Sequence, residues 1–406
     1  METFIARQPI FDTRQQVFGY ELLFRSGLQN IFTHPDPNQA TSKVIADSYF
    51  LMGMSALTGG KRAFINITRD VLVNEYLFLL PKESIVVEVL ETVKPDVEVI
   101  AACEKLKGAG YLLAMDDFVY EEGYGPLLKV ADFVKIDFLS TAAEERKSLV
   151  KRFSPLGIQF LAEKVENPEI HQEALESGYS YFQGYFFCKP TVISSQDIPA
   201  YKVHYLRILQ MIHRPEIDFR KLGEIVKQEF SLSFKLLRYI NSSYFGMRNK
   251  IGSILQALTL LGEKEIKKWI SLVAMASMGE DKPEELVIQA LIRAKFCESL
   301  AFYVGFHQRA EDLFLMGLFS LIDTILNRPL AEILKEIPIA EDVKAALLGR
   351  ENRLRSVYDF ILTCEKGDWE NLSKQAAALG IQENRAYQIY LEALKWSYRC
   401  FKMEED

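Results

Sequence analysis

The chain has 406 residues, 49% of them hydrophobic, and carries 48 Lys and Arg against 55 Asp and Glu, a formal net charge of -7. A length prior of roughly 150 residues per domain makes two domains the simplest division, and no stretch approaches the roughly 18 uninterrupted apolar residues of a membrane span. The acidity sits in residues 1–198, with 19 Lys and Arg against 27 Asp and Glu, which argues against specific nucleic-acid binding; the rest is near neutral, and short basic clusters such as Lys264, Lys267 and Lys268 read as a solvated helix face.

From Val17 to about Tyr185, apolar strand-like runs alternate with polar helical stretches, the βα pattern of a parallel sheet. Strands are expected near 17–24, 62–67, 84–90, 111–116, 132–137, 157–163 and 179–183, close to the number a barrel needs. The segment KPTVISSQDIPA, residues 189–200, breaks the pattern with two prolines and small polar residues, marking a boundary between domains 1–197 and 198–406. Beyond it, stretches 201–213, 219–230, 231–241, 253–260, 263–278, 283–305 and 310–326 carry apolar residues at helical spacing, so an all-helical bundle is expected. The start, METFIARQPIFD, lacks a signal-peptide design, and Cys103, Cys188, Cys297, Cys364 and Cys400 are scattered without Cys-x-x-Cys spacing. The expectation is a cytoplasmic protein with free thiols.

Across the first 190 residues, polar side chains close one apolar run after another: Glu21 in VFGYELLF, Asn66 in RAFINIT, Glu88 in SIVVEVLE, Asp116 and Asp117 in YLLAMDDF, Lys135 in DFVKID and Glu163 in QFLAEKVE. Side chains at the carboxyl ends of parallel strands converge on one barrel mouth, where active sites are built; an open sheet would concentrate them at one switch point. The acids and the amide are hard oxygen donors of the kind that suit magnesium or manganese. Two such cations at one mouth suit an in-line displacement at phosphorus, with Lys135 orienting water or neutralising charge. Taken singly, each acid reads as readily as a helix cap or a lysine's partner. Adjacent Asp116 and Asp117 repel unless a cation separates them, which favours the site.

The order Gln8-Pro9, Glu21-Leu22-Leu23-x-Arg25, Asn66, Glu88-x-x-Glu91, Asp116-Asp117-Phe118, Lys135-Ile-Asp137, Ala162-Glu163-Lys164-Val165-Glu166 and Gln183-Gly184-Tyr185 resembles the EAL family of cyclic-di-GMP phosphodiesterases. That resemblance covers residues 4–190 and implies a modified (β/α)₈ barrel opening the cyclic dinucleotide to its linear form with two divalent metals, Mg or Mn. It implies Glu21, Asn66, Glu88 and Asp116 as ligands of one metal, and Asp116, Asp117 and Glu163 at the other. Lys135 and Gln183 would assist the water, Glu91 would anchor the loop after Asp117, and Gln8 and Arg25 would contact the nucleotide.

Departures from the family pattern concern the loop and its flanks. Where active members read DDFGTGYSSL, this chain reads Asp116-Asp117-Phe118-Val119-Tyr120-Glu121-Glu122-Gly123-Tyr124-Gly125-Pro126-Leu127, two residues longer. Leu22, Leu90 and Lys164 replace the family's Ala, Thr and Gly. Loss of contacts that support metal ligands costs about 10–100-fold in affinity or activity, so an impaired catalytic site is expected. A working phosphodiesterase forming linear pGpG is the alternative.

In the second half, Asn241-Ser242, Phe245-Gly246, Ile251, Gln256-Ala257 and Leu261-Gly262 resemble the HDOD domain, a helical relative of the HD phosphohydrolases, from about residue 200 to 390. The chain contains no His-Asp dipeptide, and Gly317-Leu318-Phe319-Ser320-Leu321-Ile322-Asp323 stands where a relative would place GLLHDIG, so no metal is expected there. His204, His213 and His307 read as satisfied or surface histidines. The resemblance implies a bacterial signal-transduction protein whose helical domain binds a protein partner, with Tyr244, Phe245, Met247, Trp269, Met275 and Met278 forming either that surface or core. It also implies cyclic-di-GMP as a ligand of the barrel and a homo-oligomer if the barrels associate as active ones do, while the lack of a long apolar stretch leads to an expectation of no membrane partner.

Overall fold

Runs rich in β-branched and aromatic residues form the strands because both faces of each are covered: Ile85–Val89 and Phe133–Asp137 are buried at every position. The computed structural model describes residues 3–26, 54–74, 76–121, 123–184, 199–214, 217–228, 230–242, 245 and 250–405. Eight strands close a barrel in chain order: β1 Thr3–Asp12, β2 Val17–Ser26, β3 Arg62–Ile67, β4 Ile85–Val89, β5 Leu112–Met115, β6 Phe133–Asp137, β7 Gln159–Glu163 and β8 Tyr181–Phe182. β1 runs antiparallel to β2 and to β8, and every other neighbouring pair is parallel.

The period of two along a strand sorts the interior into layers. Ile10, Phe64, Val86, Ala114, Phe133 and Leu161 form an apolar layer inside the barrel, with Phe18 and Tyr181 packed against it. The Phe18 ring centroid lies 4.5 Å from that of Tyr181 and 5.7 Å from that of Phe133. Gly19 makes room for this layer, since a Cβ there would stand 2.8 Å from the Arg62 carbonyl and 3.0 Å from the Phe64 ring. Two residues further along each parallel strand the interior turns polar. A second, larger core joins the outer faces of the strands to the surrounding helices, among them Val97–Gly108, Ala143–Phe153 and Pro168–Glu176.

Seven strands lie where the sequence places them; β1 is an addition. The chain parts into two compact units, one of residues 1–189 with 359–406 and the other of residues 190–358. The segment 359–406, which the boundary at residue 198 had put in the second domain, groups with the barrel. The cause is topological. A hairpin joins β1 to β2 and supplies no crossover helix, so part of the barrel's outside is left for other residues to cover. Tyr387 and Leu391 of the helix Glu383–Glu405 pack against the barrel core.

The regular elements of the second unit are all helices among its described residues. Its helix Ile254–Met278 is interrupted at Gly262, which adopts φ 75° and ψ 168°, at the point where the sequence separates two helices. Trp269, Met275 and Met278 are buried core; Tyr244 and Met247 lie outside the described residues. The helices Glu284–Ala301 and Ala310–Phe319 cross where Gly317 meets Arg293, and a Cβ at Gly317 would come within 2.4 Å of the Arg293 backbone. Cys103 and Cys297 are buried, Cys364 and Cys400 are half-buried, and Cys188 lies outside the described residues. No described helix is long and apolar enough to cross a membrane.

Candidate active site

Above the apolar layer, each of the eight strands brings one polar residue to the mouth: Gln8, Glu21 and Lys135 from within their strands, and Asn66, Glu88, Asp116, Glu163 and Gln183 from at or near the strand ends. Their positions follow from the register, in which Gln8 pairs with Glu21 and Asn66 with Glu88. Lys135 is fully buried at the centre. Its Nζ lies 2.7 Å from Glu88 Oε1, 2.7 Å from Asp116 Oδ1, 2.9 Å from Glu163 Oε1 and 3.2 Å from Glu21 Oε2.

Amides complete the ring. Asn66 Nδ2 donates to Glu21 Oε1 at 2.9 Å, and Gln183 Nε2 donates to Glu21 Oε2 at 2.7 Å and to Gln8 Oε1 at 2.9 Å. Asn66 Oδ1, Glu88 Oε2, Glu163 Oε2 and Gln183 Oε1 are buried acceptors with no hydrogen-bond partner. Buried orphan acceptors are costly, and four at one place mark where a cation or a donor group is wanted.

Four carboxylates face one ammonium, so charge is poorly balanced. Burial drives the Glu88 carboxyl well above the usual carboxylate range, with Glu21 and Asp116 adding to the rise against the pull of Lys135. Burial likewise raises Asp116, and it pushes Glu163 up to about 8. Glu21 escapes this: burial raises it, but Lys135 and the bonds from Gln183 and Asn66 outweigh burial and leave it below its ordinary value. For Lys135, burial favours the neutral amine, yet the surrounding carboxylates hold it charged far above the ordinary lysine range.

The remaining candidates stand at the rim. Asp117, at a left-handed φ of 39°, is exposed and outside the Lys135 cluster. Glu91 is exposed and makes no hydrogen bond among the described residues; it lines a cavity of about 210 Å³ with Asp116, Asp117, Val119 and Glu121. The side chain of Arg25 lies outside the described residues. One rim contact escaped the sequence: Lys164, at φ 55°, reaches back to Asp137 Oδ2 at 2.5 Å. Asp137 sits opposite Glu163 in the strand register, a proximity of β6 and β7 that spacing along the chain does not convey.

In the helical unit the buried polar residues have partners of their own: Lys202 Nζ lies 2.5 Å from Asp281 Oδ1 and donates to the Ile325 carbonyl at 2.9 Å, and Arg293 Nη1 donates to Ser320 Oγ at 3.2 Å. His213 is buried with Nε2 3.0 Å from Ser271 Oγ, and the Ser271 hydroxyl donates to the Lys267 carbonyl at 2.7 Å. Burial pulls the His213 imidazole down to about 4. Asp323, held above its ordinary value by burial, has the Thr324 backbone N–H as a donor at 2.8 Å.

The EAL domain model matches residues 52–190, and the HDOD domain model matches residues 198–353. The protein YuxH of Bacillus subtilis is 36% identical over 98% of this chain and 98% of its own. The cyclic di-GMP phosphodiesterase CdgJ of Vibrio cholerae is 34% identical over 97% of this chain and 92% of its own. Among solved structures, a standalone EAL protein from Vibrio cholerae in its c-di-GMP-bound form is 28% identical, covering 46% of this chain and 92% of that one, with a TM-score of 0.37. With near full-length relatives and both domain models matched in order, the chain belongs to the family that joins an EAL barrel to an HDOD domain.

Proposed function

We propose that the barrel binds cyclic-di-GMP with a divalent cation at its mouth and serves as a catalytically impaired regulatory module, coupled to a helical domain that binds a protein partner. The observation that carries the cation is the set of four orphaned acceptors among buried hard-oxygen donors. In the present arrangement the Lys135 ammonium holds the point the carboxylates share, and no three His, Cys, Asp or Glu among the described residues enclose a separate ion position. Entry of the cation therefore requires the ammonium to give up part of its carboxylate shell.

Glu21, Asn66, Glu88 and Asp116 would hold one ion, and Asp116, Asp117 and Glu163 would hold a second. A divalent ion there supplies charge to polarise a phosphoryl group and to ease proton loss from water. Lys135, once released from some carboxylates, would orient that water and face the phosphate; Gln183 keeps Glu21 oriented, and Gln8 and Arg25 would meet the nucleotide. Support for impairment comes from the rim. Asp117 points its backbone into a strained region, Glu91 makes no anchoring hydrogen bond among the described residues, and the loop between them and the helix Gly125–Val130 lacks the family's small-residue turn.

A second reading, a working phosphodiesterase, is favoured by the complete ring around Lys135 and by the name of the relative CdgJ. The deciding experiment incubates purified protein with cyclic-di-GMP and Mg²⁺ or Mn²⁺ and separates the products chromatographically, with Glu21→Ala as control. Nucleotide binding without linear dinucleotide is expected. Product that disappears in the control makes the chain an enzyme.

A further inference from the structure

Neither domain model reaches residues 354–406, yet 359–406 is grouped with the barrel. Its helix Glu383–Glu405 lies on the side of the barrel formed by β1, β2 and the helix Met54–Thr58. Because side chains alternate along a strand, Gln8 and Glu21 face the mouth while Arg7 and Tyr20 face outward. Arg7, only 7% exposed, is held there by the C-terminal helix. Its guanidinium carbon stands 4.2 Å from the centre of the Tyr20 ring and 5.2 Å from that of Tyr398. Nη1 donates to the Leu57 carbonyl at 2.9 Å and to the Tyr398 hydroxyl, which donates in turn to Tyr20 Oη at 3.1 Å.

The fit is close on both sides. Gly59, at φ 61°, could carry no side chain, because a Cβ there would come within 2.4 Å of Tyr398 Cε1. Gly367, at φ 66°, sets the other end of the segment against Ala6 and Leu23, where a Cβ would lie 3.3 Å from each. Tyr387 shares a hydrogen bond with the backbone of Ile5. A buried guanidinium between two aromatic rings is held by cation–π attraction and charge-assisted hydrogen bonds, so β1 is fixed from outside at the residue before Gln8.

We propose that 359–406 is the missing outer wall of the barrel and that Tyr398 is a positioning residue for its mouth. Tyr398 holds Arg7, Arg7 fixes β1, β1 places Gln8, and Gln8 with Gln183 sets Glu21. The structural part is independent of what the mouth binds; the effect on a cation rests on the function proposed above.

The test uses the full-length chain with Tyr398→Ala and Tyr398→Phe, read by hydrogen exchange and by titration with Mn²⁺ alone. Tyr398→Ala is expected to speed exchange across residues 3–26 by about tenfold or more, as local opening follows loss of a bond to a charged group. Strands β5 to β7 and the helix Ala310–Phe319 keep their protection, and Mn²⁺ binding weakens several-fold. Tyr398→Phe, which keeps the ring over Arg7 and is the safer fold, falls between. Unchanged exchange in 3–26, or equal acceleration in every strand, overturns the wall. Local acceleration with unchanged Mn²⁺ affinity overturns the positioning role. A wild-type chain that takes up no Mn²⁺ defeats the cation reading instead and leaves the exchange result to decide the wall.

Discussion

The barrel mouth and the helical unit bury polar groups by opposite rules. At the mouth, four carboxylates crowd one ammonium and leave acceptors unpaired. In the helical unit, His213 is kept neutral by burial with one hydroxyl partner. The first arrangement is expensive unless something binds, and the second is a settled interior. Unpaired buried charge therefore points to function in the barrel, whereas the helical unit offers no comparable chemistry among its described residues.

The sharpest way to break this comparison is to remove the central cation. Lys135→Met leaves the carboxylates facing one another and should cost about 3–5 kcal/mol in metal-free urea unfolding at pH 7, the usual result of stripping one partner from a buried ionic cluster. Added Mn²⁺ should restore most of it. A variant as stable as the parent would show that the Lys135 ammonium does not hold Glu21 as a charged group.

Proton uptake comes next. Glu163 is held at about 8 in the folded protein against an ordinary value of 4.5. A carboxyl raised on folding stabilises the fold while it keeps its proton, and that contribution is lost as pH rises from the ordinary value through the folded one. Metal-free barrel stability should therefore fall between about pH 5 and pH 8, and Glu163→Gln should flatten the fall. A melting midpoint that rises over that interval in the stripped protein contradicts the assignment.

Both effects depend on an arrangement only partly legible in the sequence. Apolar runs closed by polar residues singled out Glu21, Asn66, Glu88, Asp116, Lys135 and Glu163, and the carboxyl-end rule for parallel strands brought them to one mouth. β1 was not recognised, because TFIARQPIFD mixes Arg7, Gln8 and Pro9 into a strand with one face against the C-terminal helix and the other in the barrel. No helical stretch was singled out beyond residue 326, and nothing in the spacing shows that Glu383–Glu405 packs on the barrel, since Arg7 and Tyr398 meet only in three dimensions. That Lys135 would be shared among four carboxylates also required the closed barrel.

In the helical unit a steric test should outweigh an electrostatic one. Gly317→Val drives a side chain into the backbone of Arg293 and should cost about 1–3 kcal/mol through overpacking. The loss should appear in hydrogen exchange of Glu284–Ala301 and Ala310–Phe319, with the strands spared. Acceleration in the strands as well would show that the two units unfold together.

The smallest effect is the most discriminating, because its sign is opposite to that of Glu163. His213 sits at about 4, below the ordinary imidazole value of 6.5, through burial and to a lesser degree Lys267. Glu311 and Asp312, from the neighbouring helix, line the same cavity as His213, and their charges would favour protonation, so burial is the dominant influence. A depressed imidazole contributes stability above its unfolded value, and the contribution is lost as pH falls from 6.5 toward 4. By pH 6 the helical unit should have lost about 1 kcal/mol, and His213→Gln, keeping a donor toward Ser271, should remove that dependence. Acidification would then loosen the helical unit while tightening the metal-free barrel, measurable in one sample as opposite changes in exchange for 310–326 and for β4 to β7. If both regions move in the same direction, the two buried groups do not titrate as separate local devices, and the contrast between a strained mouth and a settled bundle fails.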